Sequence, residues 1–158
     1  MLQHNTESRT IKRASVAFIM AHDTGRFLAQ YRASKYENDN VSKWGLFGGE
    51  AEDCDTPEQA LIRELKEETG LEIPSENYLV KVAEQNTPTG SLSTLFLVCV
   101  QHEFVPTLCD ESAGYEWVAL DDWPTPEHFM MPRSIEALRG YSKRTSNDNY
   151  PTMPVPLG

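Results

Sequence analysis

No stretch of the chain is apolar for long enough to cross a bilayer, and Met1 to Arg13 is polar throughout, without the apolar centre of a signal peptide. A membrane partner is not expected, and the expected location is the cytoplasm. Cysteine is scarce. Cys54, Cys99 and Cys109 form an odd set with no CxxC spacing, which argues against a disulfide framework and a cysteine-paired zinc site and fits a reducing compartment. Positive charge is short as well: 14 Lys and Arg stand against 24 Asp and Glu, a formal charge of -10. Too few basic groups are clustered to neutralise a phosphate backbone, so long nucleic acid is not expected as a partner. A small phosphorylated ligand stays compatible with this charge, because divalent cations can sit between two negative partners. There is no internal repeat.

At 158 residues one domain with one core is the expectation. The pattern divides into a polar lead over 1–13, a folded domain over 14–141 and a flexible tail over 142–158. That tail holds Asn147, Asp148, Asn149, Pro151, Pro154 and Pro156 with little to bury. Ala14 to Met20 and Phe27 to Arg32 read as strands joined at the turn His22-Asp23-Thr24-Gly25, and Ala33 to Lys43 as a loop. Trp44 to Gly49 follows as a short segment whose paired glycines mark a close backbone turn. Thr56, Pro57 and Gln59 have the spacing of a capping box, which predicts a helix running to Thr69 and stopping at Gly70. Tyr78 to Ala83, Leu92 to Val100 and Tyr115 to Leu120 read as further strands, with Thr87 to Gly90 as a turn. Pro132 to Arg139 reads as a closing helix.

The helix after Thr56 carries an unusual charge pattern. At about 100° per residue, Glu64, Glu67 and Glu68 fall within one arc of roughly 100°, beside the arc of Leu61, Ile62 and Leu65 that should pack on the sheet. Ala60 lies in the acid arc one turn earlier, so nothing bulky fills the space beside Glu64. Glu64 and Glu68 repel at i,i+4, and all three acids sit toward the negative end of the helix dipole, each feature costing a few tenths of a kcal/mol. A bound cation would offset that cost. Magnesium suits such a site, since it takes hard oxygen ligands and pairs one or two carboxylates with substrate phosphate oxygens. An ordinary solvated acidic face remains the alternative on these residues alone.

Gly49, Asp55 and the run Arg63-Glu64-Leu65-Lys66-Glu67-Glu68-Thr69-Gly70-Leu71 are spaced as in a Nudix box, and the chain resembles that family. The family form is glycine, five residues, glutamate, seven residues, then Arg-Glu-aliphatic-x-Glu-Glu-x-Gly-aliphatic. Asp55, in place of glutamate, is the single departure at a fixed position, and its carboxylate reaches about one methylene less far. The resemblance implies an α/β Nudix fold, a mixed β-sheet sandwiched between helices, with the box forming a loop, helix and loop that grips metal ions. It implies Mg2+, with Mn2+ as a substitute, held by the Gly48 carbonyl and the carboxylates of Glu64, Glu67 and Glu68. Arg63 would orient those carboxylates through its i,i+4 relation to Glu67.

Relatives of this kind often place a catalytic acid in a loop six residues ahead of a tryptophan, and Glu111 has that offset from Trp117. Asp110 and Glu116 compete for the role, as do the box acids Glu67 and Glu68. The implied reaction is hydrolysis of a diphosphate linkage in a nucleoside diphosphate derivative: a nucleotide sugar, ADP-ribose, a dinucleotide or a nucleoside triphosphate. The alternative is a module of the same fold that senses such a ligand without cutting it. Arg32, at the end of the second strand, is the candidate substrate contact. Trp44 reads as packing, and Trp123 and Phe129 either stack on a base or anchor the last helix. His22, His102 and His128 show no ligand spacing. Many relatives are dimers, so a homodimer is a further expectation.

Overall fold

The computed structural model describes residues 11–33, 44–86, 90–123, 130–145 and 154–158. In chain order the elements are β1 (Arg13–Ala21), β2 (Phe27–Arg32), β3 (Trp44–Gly45), β4 (Phe47–Glu50), α1 (Pro57–Thr69), β5 (Val80–Asn86), β6 (Leu92–Val100), β7 (Ser112–Val118) and α2 (Met130–Thr145). Short 3-10 turns occupy Glu76–Tyr78 and Leu120–Asp122.

Among the described residues the strands form one mixed sheet. β1 runs parallel to β6 from Arg13↔Leu92 to Ala21↔Val100, and β5 adds antiparallel on the far side of β6. The other edge of β1 is shared. Its first half pairs with β4, from Ala14↔Glu50 to Ala17↔Phe47, and its end pairs with β2 at Met20↔Phe27. β2 in turn carries β3 and β7. The strand that holds the paired glycines is therefore wedged between β1 and helix α1.

Apolar side chains fill both faces of this sheet. Ala17, Ile19, Leu28, Phe47 and Phe96 pack against Leu61 and Leu65 of α1 on one side. Phe18, Ala29, Leu95 and Leu97 pack against Trp123 and the α2 residues Leu138 and Tyr141 on the other. Covering on both sides explains why Leu95 to Val100 reads as an unbroken apolar run without alternation. The fold is α/β, a mixed sheet between helices, as the sequence implies. Among the described residues no helix is long and apolar enough to cross a membrane.

Several boundaries differ from expectation. Trp44 to Gly49 is not a turn: it supplies β3 and β4, and Gly49 and Gly48 pair with Ser15 and Val16. Glycine is required there by close approach, since a Cβ on Gly48 would lie 2.1 Å from the Ser15 carbonyl oxygen at a φ of 152°. Tyr78 falls in a 3-10 turn, so the following strand starts at Val80 and runs on to Asn86. β7 begins at Ser112 because Arg32 of β2 pairs with it across a bulge. α2 reaches Thr145 with Tyr141 buried, beyond the expected close at Arg139.

Within the 142–158 segment, expected to have little to bury, two described residues do pack. Pro154 and Leu157 are buried, and the Leu157 N–H donates to the Cys99 carbonyl at 2.9 Å in a parallel bridge to Val100. The pairing of β5 with β6 starts at Leu97, which leaves the last residues of that edge open for this contact. The expected loop over 34–43, the turn residues 87–89, His128 and Phe129 lie outside the described residues.

Candidate functional site

Helix α1 is set by its ends. The Thr56 hydroxyl accepts from the Gln59 N–H, and the Gln59 side chain accepts from the Thr56 N–H, closing the capping box. Gly70 ends the helix with a φ of 79°, its N–H donating to the Lys66 carbonyl. With Leu61 and Leu65 buried against the sheet, Glu64 and Glu68 are turned toward β4 rather than into open solvent.

Glu68 is 3% exposed, and its Oε1 accepts the Gly48 N–H at 3.0 Å. The Glu64 carboxylate lies against Gly49, where an added Cβ would come within 2.4 Å of its Cδ. β4 therefore meets the helix as bare backbone, and the Glu64 carboxylate occupies the space that a side chain at Gly49 would take. Glu67 is exposed on the same helix.

A second segment closes over these acids. The loop between β6 and β7 is tied to the end of α1 by the Thr107 N–H to the Thr69 carbonyl, 2.9 Å, and to β7 by Trp117 Nε1 to the Phe104 carbonyl, 3.0 Å. Where the loop enters β7, the Ala33 N–H donates to the Glu111 carbonyl at 2.9 Å. This brings Glu111 over the helix, and one ligand atom each from Glu68, Cys109 and Glu111 lie within 4.8 Å of one another. Glu111 is exposed at the rim while Glu68 lies beneath it. Asp110 and Glu116 are exposed and are not members of this group.

The electrostatics follow from burial and like charge. Burial pushes the Glu68 carboxyl up to about 8; the Gly48 N–H opposes the rise, and the neighbouring Glu64 and Glu111 charges add to it. Glu64 is raised as well, by burial first and then by Glu67, with Arg63 opposing. Such a group of carboxylates offers hard oxygen donors whose ionised forms are only partly compensated by the Gly48 N–H and Arg63, and that fits a magnesium-type ion.

Arg63 requires a correction. Its partner is Asp55, not Glu67: Nη1 lies 2.5 Å from Asp55 Oδ2, with the Glu50 carbonyl at 3.3 Å and Glu64 at 3.8 Å. Asp55 also accepts the Glu52 N–H at 2.9 Å, so it is fixed just ahead of the helix, and the Arg63 hydrogen bond holds its carboxyl below the usual range. The shorter acid at this position thus anchors Arg63 beside Glu64.

Arg32 ends β2, with its Cα opposite Ser112, the residue after Glu111. Trp123 is buried edge-on to Phe18 at 5.7 Å and anchors the α2 side of the core, which removes it as a base platform. Trp44 packs against that core and meets Tyr31 at 4.9 Å. His102 pairs with Asp23 at 2.9 Å on the surface, and His22 is exposed. Sequence reasoning gave no role to Cys109, whose position two residues before Glu111 was the available signal. It also missed Gln30, which is 7% exposed and donates from Nε2 to Ser112 Oγ at 2.7 Å.

Comparison with known proteins agrees with this architecture. A family model described as NUDIX domain matches residues 11–138. A MutT-like protein of Streptomyces ambofaciens is 32% identical over 108 residues, covering 68% of this chain and 64% of that protein. An 8-oxo-dGTP diphosphatase of Proteus vulgaris is 42% identical over 55 residues, 35% of this chain and 49% of that one. The chain thus spans less than two thirds of the length of these curated relatives. The crystal structure of a C. elegans Ap4A hydrolase binary complex superposes with a TM-score of 0.65 at 18% identity, over 83% of this chain and 98% of that one.

Proposed function

The chain belongs to the Nudix family, and from that premise we propose that it hydrolyses a diphosphate linkage in a small nucleoside di- or triphosphate derivative, with Mg2+ as the working ion and Mn2+ as a substitute. The observation that carries the reading is Glu68, buried between the Gly48 N–H and Glu111 with Glu64 one turn away. Carboxylates confined in this way suit an ion that itself touches phosphate oxygens. In this reading Glu64, Glu67, Glu68 and the Gly48 carbonyl hold the ion. An ion held by these residues would offset the charge of the diphosphate and lower the pKa of a bound water.

The remaining work falls to residues of the chain. Glu111, exposed above the buried Glu68, accepts the proton of the attacking water, because it adjoins Glu68 and is open to bulk solvent. Arg63, fixed by Asp55, keeps Glu64 from swinging away. Arg32, next to the Glu111 loop, contacts the phosphate or base. Relatives are named for 8-oxo-dGTP and Ap4A, and both names describe a nucleoside carrying phosphate anhydrides. That chemistry supports the substrate class here.

The test is a panel of 8-oxo-dGTP, ordinary dNTPs, Ap4A, ADP-ribose and a nucleotide sugar, assayed with Mg2+ for released phosphate, pyrophosphate or monophosphate. At least one compound should turn over, and Glu68→Gln should lower kcat by about 100-fold or more while keeping the fold. Equal rates in the two proteins, or no cleavage of any compound, would overturn the reading.

A further inference from the structure

We propose that Gln30 is a positioning residue for the general base: its side-chain amide, bonded to the Ser112 hydroxyl across the bulge between β2 and β7, fixes the register in which Glu111 is held over Glu68. This role rests on the hydrolase reading and gives Gln30 its effect through Glu111, not on the substrate. Phe27, Leu28 and Ala29 of β2 are buried and apolar, and Gln30 follows them at 7% exposed. Alternation along the strand puts it on the face of Leu28, which is the α1 side of the sheet. An apolar side chain would suit that place, whereas an amide loses its water there and needs a partner. Nε2 has one in Ser112 Oγ, at 2.7 Å.

The location of the partner gives this bond its consequence. From Phe27↔Val118 to Tyr31↔Gly114 the strands pair residue by residue, with the Gln30 backbone opposite Tyr115. At the next step Arg32 meets Ser112, so β7 carries one extra residue, Ala113. A bulge re-aims the side chains beside it, and a slip of one residue would turn them to the other face of the sheet. Glu111 lies immediately beyond this irregular step, with its carbonyl accepting the Ala33 N–H at 2.9 Å. The Gln30 amide spans the step, from the level of Tyr115 to Ser112, and so holds the extra residue in place. The Ser112 N–H also closes a turn onto the Cys109 carbonyl at 3.1 Å, which fixes the chain on the near side of Glu111. In this register a Glu111 carboxylate oxygen stands within 4.8 Å of one from Glu68. A base must meet its proton at hydrogen-bond range, and a displacement of about 1 Å can lower a rate by about 100-fold.

The test compares the full chain with Gln30→Met, Ser112→Ala, Glu111→Gln and the paired variants, using Mg2+ and the panel compound that turns over. Gln30→Met and Ser112→Ala should each lower kcat about 10-fold while KM stays within about twofold. In a Glu111→Gln background neither should lower it further, whereas a residue serving stability alone would cost the same factor in both backgrounds. If Gln30→Met does not fold, Ser112→Ala carries the same comparison. Without any turnover, the Ala33 amide should exchange its hydrogen about 10-fold faster in Gln30→Met and Ser112→Ala, with the amides of α1 unchanged. Wild-type kcat in both single variants, losses that add to that of Glu111→Gln, or unaltered Ala33 exchange overturns the proposal. Mg2+-dependent turnover that is lost in Glu68→Gln leaves the hydrolase reading standing in each of those cases. A chain inactive toward the whole panel overturns that reading instead, and Ala33 exchange then decides whether Gln30 holds the Glu111 turn.

Discussion

Glu68 should make the stability of the metal-free protein depend on pH. Its carboxyl is raised from 4.5 to about 8 on folding, chiefly by burial. Below about 4.5 both states hold the proton and the group is neutral to stability. As pH rises the unfolded chain releases it first, so the stability that goes with a protonated Glu68 is lost progressively up to about 8. Melting temperature measured with a chelator should fall across that window in the wild type and fall less in Glu68→Gln. Parallel curves would refute the assignment. With Mg2+ held as proposed, the same linkage predicts that stabilisation by added Mg2+ grows with pH, since the ion needs the ionised form.

The paired glycines, also at this scale, should separate fold from function. An added Cβ at Gly48 meets the backbone of Ser15, which cannot move aside, so Gly48→Ala should cost about 2 kcal/mol in a denaturant titration. At Gly49 the obstacle is the flexible end of Glu64. Gly49→Ala should therefore melt near the wild type but lose activity on the order of 100-fold, because the carboxylate is displaced. If both variants are equally unstable, the distinction fails.

Among the elements, α1 determines where the acids stand. Its capping box satisfies the first free N–H groups and fixes the first turn against β4, and the Ser15 hydroxyl adds a bond to the Pro57 carbonyl at 2.8 Å. Thr56→Ala should cost about 1 kcal/mol by urea denaturation. No change would show that the helix start is held by packing alone. The loop from β6 to β7 is the second element that matters. Its bonds to Thr69 and Trp117 turn a segment without regular structure into a fixed arm that carries Cys109 and Glu111.

For the molecule as a whole, the sheet is closed on both faces, and its β6 edge is finished by the end of the chain. Leu157 sits 9% exposed in the α1-side core and bridges to Val100. Leu157→Ala should lower stability by about 2 kcal/mol, seen as a lower denaturant midpoint at constant slope. An unchanged midpoint would mean that the segment adds nothing to the core. The contact lies at the end of β6, directly ahead of the loop that bears Cys109 and Glu111.

Local signals were enough for much of this. The capping box, the apolar arc of Leu61 and Leu65, and the apolar runs of β1, β2 and β6 depend on neighbours within a few residues, so periodicity and spacing located them. The shared face of Glu64, Glu67 and Glu68 is likewise a property of one helix, and the box spacing identified the family. What required the tertiary structure were relations between distant segments. The glycines of β4 read as a turn because their reason for being glycine, the backbone of Ser15 and the carboxylate of Glu64, is remote in sequence. Helical spacing pairs Arg63 with Glu67, but the side chain points back to Asp55 ahead of the helix, and Glu68 has its raised pKa from burial against β4. Burial, edge pairing and charge crowding are set by which segments meet, and a single sequence does not carry that information locally.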